Sequence, residues 1–253
     1  MRLILTGATG LVGSGVLNHI LNLPPGEVSR LFILSRSPVP MAENKPNVTV
    51  IEHKDFNEYS PELLEQLRGA DGCIWAQGIS QSQVSKEEYR VITYDYPLAA
   101  AKAFSGLSSS FKFVYVSGEG ATQNPGRFTP IFGRVKGEAE VALLALAKQY
   151  PSLKPFSVRP AFVDPAHDPE VLKVVMKRPD QQTLLKKGMH SLLGPVVRAT
   201  APGTVSPTEY LREVLNRFGE GQWAAVGRKG GYRGGKDHQQ CGFSEGGGDL
   251  RDF

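Results

Sequence analysis

Cysteine is scarce in this sequence: Cys73 and Cys241 are the two in 253 residues, and they stand far apart. A disulfide framework is therefore not expected, and Cys73, inside the apolar run DGCIWA, reads as a buried free thiol. The five histidines (His19, His53, His167, His190 and His238) show no ligand spacing with one another or with the cysteines, so no metal site is expected. His190 reads as a surface residue. A hydrophobic run of about 20 residues, the length needed to span a bilayer, is missing. The opening MRLILTGATG is broken by threonine and glycines with no processing site after it, so no signal peptide and a cytosolic location are expected. A strong excess of one charge is missing too: 29 Lys and Arg face 25 Asp and Glu, for a net +4. No basic run is interleaved with aromatics, which excludes an expected nucleic-acid groove.

What is present is alternation. RLILT (2–6), RLFILS (30–35), NVTVIE (47–52), GCIWA (72–76), FKFVYVS (111–117) and KPFSVRP (154–160) read as strands. Between them lie helical patterns: LVGSGVLNHILNL (11–23), stopped by Pro24 and Pro25, and PELLEQL (61–67). A long helix follows over 85–104, kinked near Pro97, and another over 130–150. Strands separated by helices predict an α/β architecture, a doubly wound parallel sheet covered on both faces. The sequence predicts one domain over 1–226, in which 164–205 forms a small region covering the substrate. SPTEYLREVLNRF (206–218) carries helix-start signals in Ser206, Pro207 and Glu209. The glycine-rich 227–253 is expected to be a disordered tail.

The strongest local signal is TGATGLVGSG, at the turn from the first strand into the first helix. Gly7, Gly10 and Gly13, with Thr9, Leu11 and Val12 between them, allow a tight turn. Backbone N–H groups can then approach a pyrophosphate at the positive end of a helix. The end of the second strand selects the nucleotide. An acidic residue there would accept from the ribose 2′-hydroxyl of NAD. Ser35 and Arg36 stand there instead and suit a 2′-phosphate, so NADP(H) is favoured over NAD(H). Asp55 and Phe56, after the third strand, are placed to meet the adenine, or else form a turn.

TGATGLVG, WAQG, VYVSGEGA, FGRVK and SVRPAFVDP, in this order, resemble the short-chain dehydrogenase/reductase superfamily. The glycine spacing is similar to its atypical branch, related to nucleotide-sugar epimerases and isoflavone-reductase-like proteins. The resemblance covers residues 1 to about 165. It implies an NAD(P)-binding Rossmann fold in which Gly7, Gly10 and Gly13 hold the pyrophosphate and Arg36 the 2′-phosphate. Ala76, Gln77 and Gly78 would line the adenosine side, and Pro160, Ala161 and Val163 the carboxamide. Ser117 would bind the substrate oxygen and Lys136 the nicotinamide ribose.

Phe132 occupies the position of the family's tyrosine, whose phenol gives a proton to the oxygen of a reduced carbonyl. A phenyl ring cannot. Tyr115, expected to share a strand face with Ser117, and Glu119, in the loop SGEG, are the substitutes the sequence offers beside the Tyr94–Asp95–Tyr96 cluster. Three functions remain open. One is an NADP(H)-dependent oxidoreductase acting on a small organic carbonyl or enone. The others are a non-redox isomerase, cyclase or dehydratase on the same fold, and an NADP(H)-sensing binding protein.

Overall fold

Runs of aliphatic and aromatic residues supply six strands, described here in a computed structural model covering residues 1–160, 163, 165 and 168–177. They are β1 (Arg2–Thr6), β2 (Arg30–Ser35), β3 (Val48–Glu52), β4 (Gly72–Trp75), β5 (Phe111–Val116) and β6 (Leu153–Val158). All pair in parallel, in the order β3-β2-β1-β4-β5-β6. The expected doubly wound sheet is thus the observed fold, with ends shifted by a residue or two. Its strand order reverses between β1 and β4, and at such a switch a crevice opens beyond the carboxyl ends of the strands.

Strand alternation divides the core between the two faces. Leu3, Leu5, Ile33, Ile74 and Val114 point to the face covered by α1 (Leu11–Leu21). Ile4, Phe32, Trp75, Phe113 and Tyr115 point to the other, over which Phe104 and Leu143 pack. Ser60 caps α2 (Pro61–Leu67), accepting from the Leu63 amide at 3.3 Å, and Ser85 caps α3 (Lys86–Arg90), accepting from Glu88 at 3.1 Å.

The predicted helix over 85–104 is continuous but not uniform. Between α3 and α4 (Tyr96–Phe104), Val91–Asp95 forms a wider π-helical turn. Its cause is Pro97, which has no N–H to donate and whose ring crowds the carbonyl of Thr93 four residues earlier. The released Thr93 carbonyl accepts from the Tyr115 hydroxyl at 3.0 Å, so the local defect is repaired by the sheet.

α5 (Ile131–Gln149) follows β5. After β6, α6 (Pro169–Met176) packs on α1 through buried Val171 and Val175. Asp168 caps it, accepting from the Val171 amide at 3.2 Å, and also accepts from the Asn18 side chain at 3.0 Å. Apart from α6, the expected covering region 164–205 lies almost wholly outside the described residues. So do the predicted helix 206–218, the tail 227–253, His190 and Cys241. Cys73 is a buried free thiol. Among the described residues no helix is long and apolar enough to cross a membrane, and no cluster of His, Cys, Asp and Glu is arranged to hold a metal ion.

Candidate functional site

The turn after β1 is built from contacts that exclude side chains. Gly7 has φ +70, and a Cβ there would lie 2.4 Å from the Ala76 carbonyl oxygen at the end of β4. A Cβ on Gly13 would lie 2.0 Å from the Gly7 carbonyl oxygen. The Gly10 amide closes the turn onto Gly7 at 2.8 Å. α1 therefore starts directly against the switch point. Its cap, Gly10, offers no side chain, and its first turn carries no acidic residue. The amides of Leu11, Val12 and Gly13 have no acceptor inside the helix, an arrangement suited to an anion.

Beside this turn is a cleft of about 560 Å³, lined by Gly7, Thr9 and Gly10, the end of β2, Phe56, and Ala76, Gln77 and Gly78. Arg36 stands exposed at its edge, with no ion pair among the described residues. Two expected contributors behave differently. The Ser35 hydroxyl donates to the Ser37 carbonyl at 2.7 Å and accepts from the Ser37 amide at 3.2 Å, so its proton shapes the turn while the residue lines the cleft. Asp55 accepts from the Asn57 amide at 2.9 Å, the turn alternative, and is absent from the cleft lining. Phe56 does line the cleft, as a core residue held edge-on against His53 and Trp75.

The sequence reading missed one wall. Glu170, Lys173, Val174 and Lys177 of α6 and its cap line the same cleft. The available signal was DPE at 168–170, an N-cap aspartate followed by proline at the first helical position.

A second group forms where α5 meets the loop after β5. A Cβ on Gly133 would sit 2.5 Å from the Gly120 carbonyl oxygen, and one on Gly137 only 1.9 Å from that of Thr122. The Thr122 amide donates to Gly133 at 3.0 Å, so the loop lies flat on the helix. This contact seats Phe132 and Lys136 at the end of β5. The Phe132 ring approaches Gly120, which has φ +86, so closely that a Cβ there would be 3.4 Å from its Cζ. Lys136 Nζ donates to the Ser117 carbonyl at 2.6 Å and the Val116 carbonyl at 3.4 Å. The residue as a whole is half-buried, yet its ammonium end is deeply packed. That desolvation lowers its pKa to about 8 against the opposing attraction of Glu140. Glu140 is itself buried and paired with Arg159, Nε to Oε1 at 2.9 Å and Nη2 to Oε2.

Ser117 is 3% exposed, and its hydroxyl has no hydrogen-bond partner. Such an orphaned polar atom calls for an explanation, and a ligand oxygen is one. Tyr115 does not join it. The Ser117 amide donates to the Val158 carbonyl of β6 at 2.8 Å and to the Tyr115 carbonyl at 3.1 Å, which ties it to the end of the sheet. Tyr115 is core, its hydroxyl is committed to Thr93, and burial raises its pKa far above the ordinary phenol value, so the proposed acid role is withdrawn. Glu119 is exposed, its amide bound to the Pro160 carbonyl at 2.8 Å, which brings Pro160 beside this loop. Val163 is half-buried, and Ala161 lies outside the described residues.

No family model matches the chain. Solved structures do. DesIV, the dTDP-glucose 4,6-dehydratase of Streptomyces venezuelae with NAD and TYD bound, aligns with a TM-score of 0.60 at 15% identity, over 86% of this chain and 71% of that one. The UDP-glucuronic acid 4-epimerase of Bacillus cereus in complex with NAD aligns at 0.53 and 14% identity, over 64% and 56%. These likenesses are of fold. In sequence, the chain is 43% identical over 146 residues to leucinostatins biosynthesis cluster protein T of Purpureocillium lilacinum, covering 58% of this chain and 52% of the relative. The chain thus spans about half the length of that protein. It is also 41% identical over 122 residues to botcinic acid biosynthesis cluster B protein 16 of Botryotinia fuckeliana (strain B05.10), covering 47% of this chain and 75% of the relative. On that coverage, the chain belongs to the same protein family as the botcinic acid cluster protein, and it builds that sequence on a Rossmann fold.

Proposed function

We propose that the chain binds a nicotinamide dinucleotide, NADP(H) in preference to NAD(H), and is an oxidoreductase of the atypical short-chain type acting on a small organic carbonyl or enone. The observation that carries this reading is the cradle: a turn whose Gly7 and Gly13 leave no room for a Cβ, under an uncapped helix start, opening into the cleft. These residues fit a dinucleotide. The α1 amides would hold the pyrophosphate, Arg36 the 2′-phosphate, and Ala76, Gln77 and Gly78 the adenosine side. Pro160, Ala161 and Val163 would flank the carboxamide. Bound, the cofactor supplies hydride chemistry. Ser117 would turn its unpartnered hydroxyl to a substrate oxygen, and Lys136 would fix the end of β5 and meet the ribose. The names of both relatives refer to the biosynthesis of small molecules, which supports an intermediate of such a pathway as substrate.

Fluorescence titration with NADPH and NADH tests the reading, followed by a screen of carbonyl compounds. Tighter binding of NADPH is expected, and failure of both nucleotides to bind would overturn it. A second reading is favoured by Phe132 and by the committed Tyr115 hydroxyl, which withhold a phenol at the two positions beside Ser117 and Lys136 among the described residues. In it, the same pocket serves a non-redox isomerase, cyclase or dehydratase, or an NADP(H) sensor.

A further inference from the structure

The spacing of 170, 173, 174 and 177 is that of one helix face, i, i+3, i+4 and i+7. All four positions line the cleft that also holds Arg36 and Ser37, while the adjacent Val171 and Val175 are buried against α1. α6 is therefore not a free flap. Its cap, Asp168, is 6% exposed and accepts from both Asn18 and the Val171 amide, which fixes the helix relative to α1. That anchoring presents Lys173 and Lys177 to the wall opposite the end of β2. Among the described residues, Arg36, Lys173 and Lys177 line this space together with one carboxylate, Glu170.

We infer that α6 is a second reader of the nucleotide: Lys173 and Lys177 share the 2′-phosphate with Arg36, and the preference for NADP(H) is set across two elements. This rests on the dinucleotide reading of the cleft. Lys173 Nζ is held by the Glu170 carboxylate at 2.6 Å, an exposed pair worth little in water. A dianionic phosphate between Lys173 and Arg36 competes well with that contact, because charge-assisted bonds to phosphate are the stronger kind. Glu170 then has a distinct part. With no 2′-phosphate present, Glu170, beside its contact with Lys173, is the carboxylate that the described residues of this wall offer to a ribose hydroxyl.

The test compares affinities for NADPH, NADH, 2′,5′-ADP and 5′-AMP in the full chain, its Lys173→Ala/Lys177→Ala double variant, and Arg36→Ala, at two salt concentrations. The double variant is expected to weaken NADPH and 2′,5′-ADP by about 10-fold while NADH and 5′-AMP change by less than about 2-fold, since exposed charge-assisted contacts are being lost. Its salt dependence for 2′,5′-ADP should also fall. The charge-reversed Lys173→Glu/Lys177→Glu should deepen the loss, and thermal melts confirm that each variant is folded. Unchanged NADPH affinity in both double variants, with Arg36→Ala alone abolishing the preference, overturns the role of α6 and leaves the dinucleotide reading intact. Equal wild-type affinity for 2′,5′-ADP and 5′-AMP overturns both this role and the NADP(H) preference. Absence of binding by all four compounds overturns the cleft assignment itself.

Discussion

Phe132 is the residue at which sequence and chemistry part. Its ring tip lies against Gly120, where a Cβ would be only 3.4 Å from Cζ, so a phenol there has to share its place with the Gly120 backbone. Phe132→Tyr should leave NADPH affinity within about 2-fold and raise carbonyl reduction by up to about 10²-fold, the lower end for one positioned acid. Steady-state kinetics on any carbonyl hit from the screen would check this; no gain in rate would favour the non-redox reading. Lys136 gives a second residue-scale outcome. Burial lowers its folded pKa from 10.5 to about 8, so between those values the unfolded chain binds more protons than the folded one. Stability contributed at this position therefore rises as pH increases from about 8 toward 10.5, and below that window the buried ammonium is a constant cost. Melts of wild type and Lys136→Met across pH 7 to 10 should show the difference moving in favour of wild type at the alkaline end. A flat difference would mean that the ammonium is solvated. The place of Arg36 at the cleft edge was legible from the sequence because it depends only on position after a strand. The internal engagement of Ser35 was not, since a hydroxyl two residues from a carbonyl can face either way.

At the scale of elements, α5 is held to its loop by two glycines rather than by large side chains. Gly137→Ala would drive a Cβ into the Thr122 carbonyl, and Gly78→Ala meets nothing within 4 Å. Gly137→Ala should cost at least about 2 kcal/mol in denaturant unfolding, whereas Gly78→Ala should be nearly neutral. Equal effects would show that the loop does not rest on the helix. Element positions were readable because each strand is a short, largely apolar run and α2 to α6 have a proline or serine at or near their start, while α1 follows the glycine turn. The π-helical turn at Val91–Asp95 was anticipated only as a kink at Pro97. In it the Thr93 carbonyl accepts from the Tyr115 hydroxyl of β5, a partner 22 residues further along the chain. α6 escaped notice for a related reason: at eight residues its periodicity is brief, and its importance comes from what it packs on.

For the whole molecule, the parallel sheet sets an order in time. β1 pairs with β4, Thr6 opposite Trp75, and the Gly7 turn rests on Ala76. Nearly seventy residues must intervene before the turn acquires its wall. A chain emerging at about 5–20 residues per second would wait on the order of several seconds between making the glycine turn and meeting β4. Closing so long a loop also slows refolding, because its entropy is lost before the contact repays it. The glycine turn therefore gains its wall only when the fourth strand is seated, although the turn itself is written in the first thirteen residues.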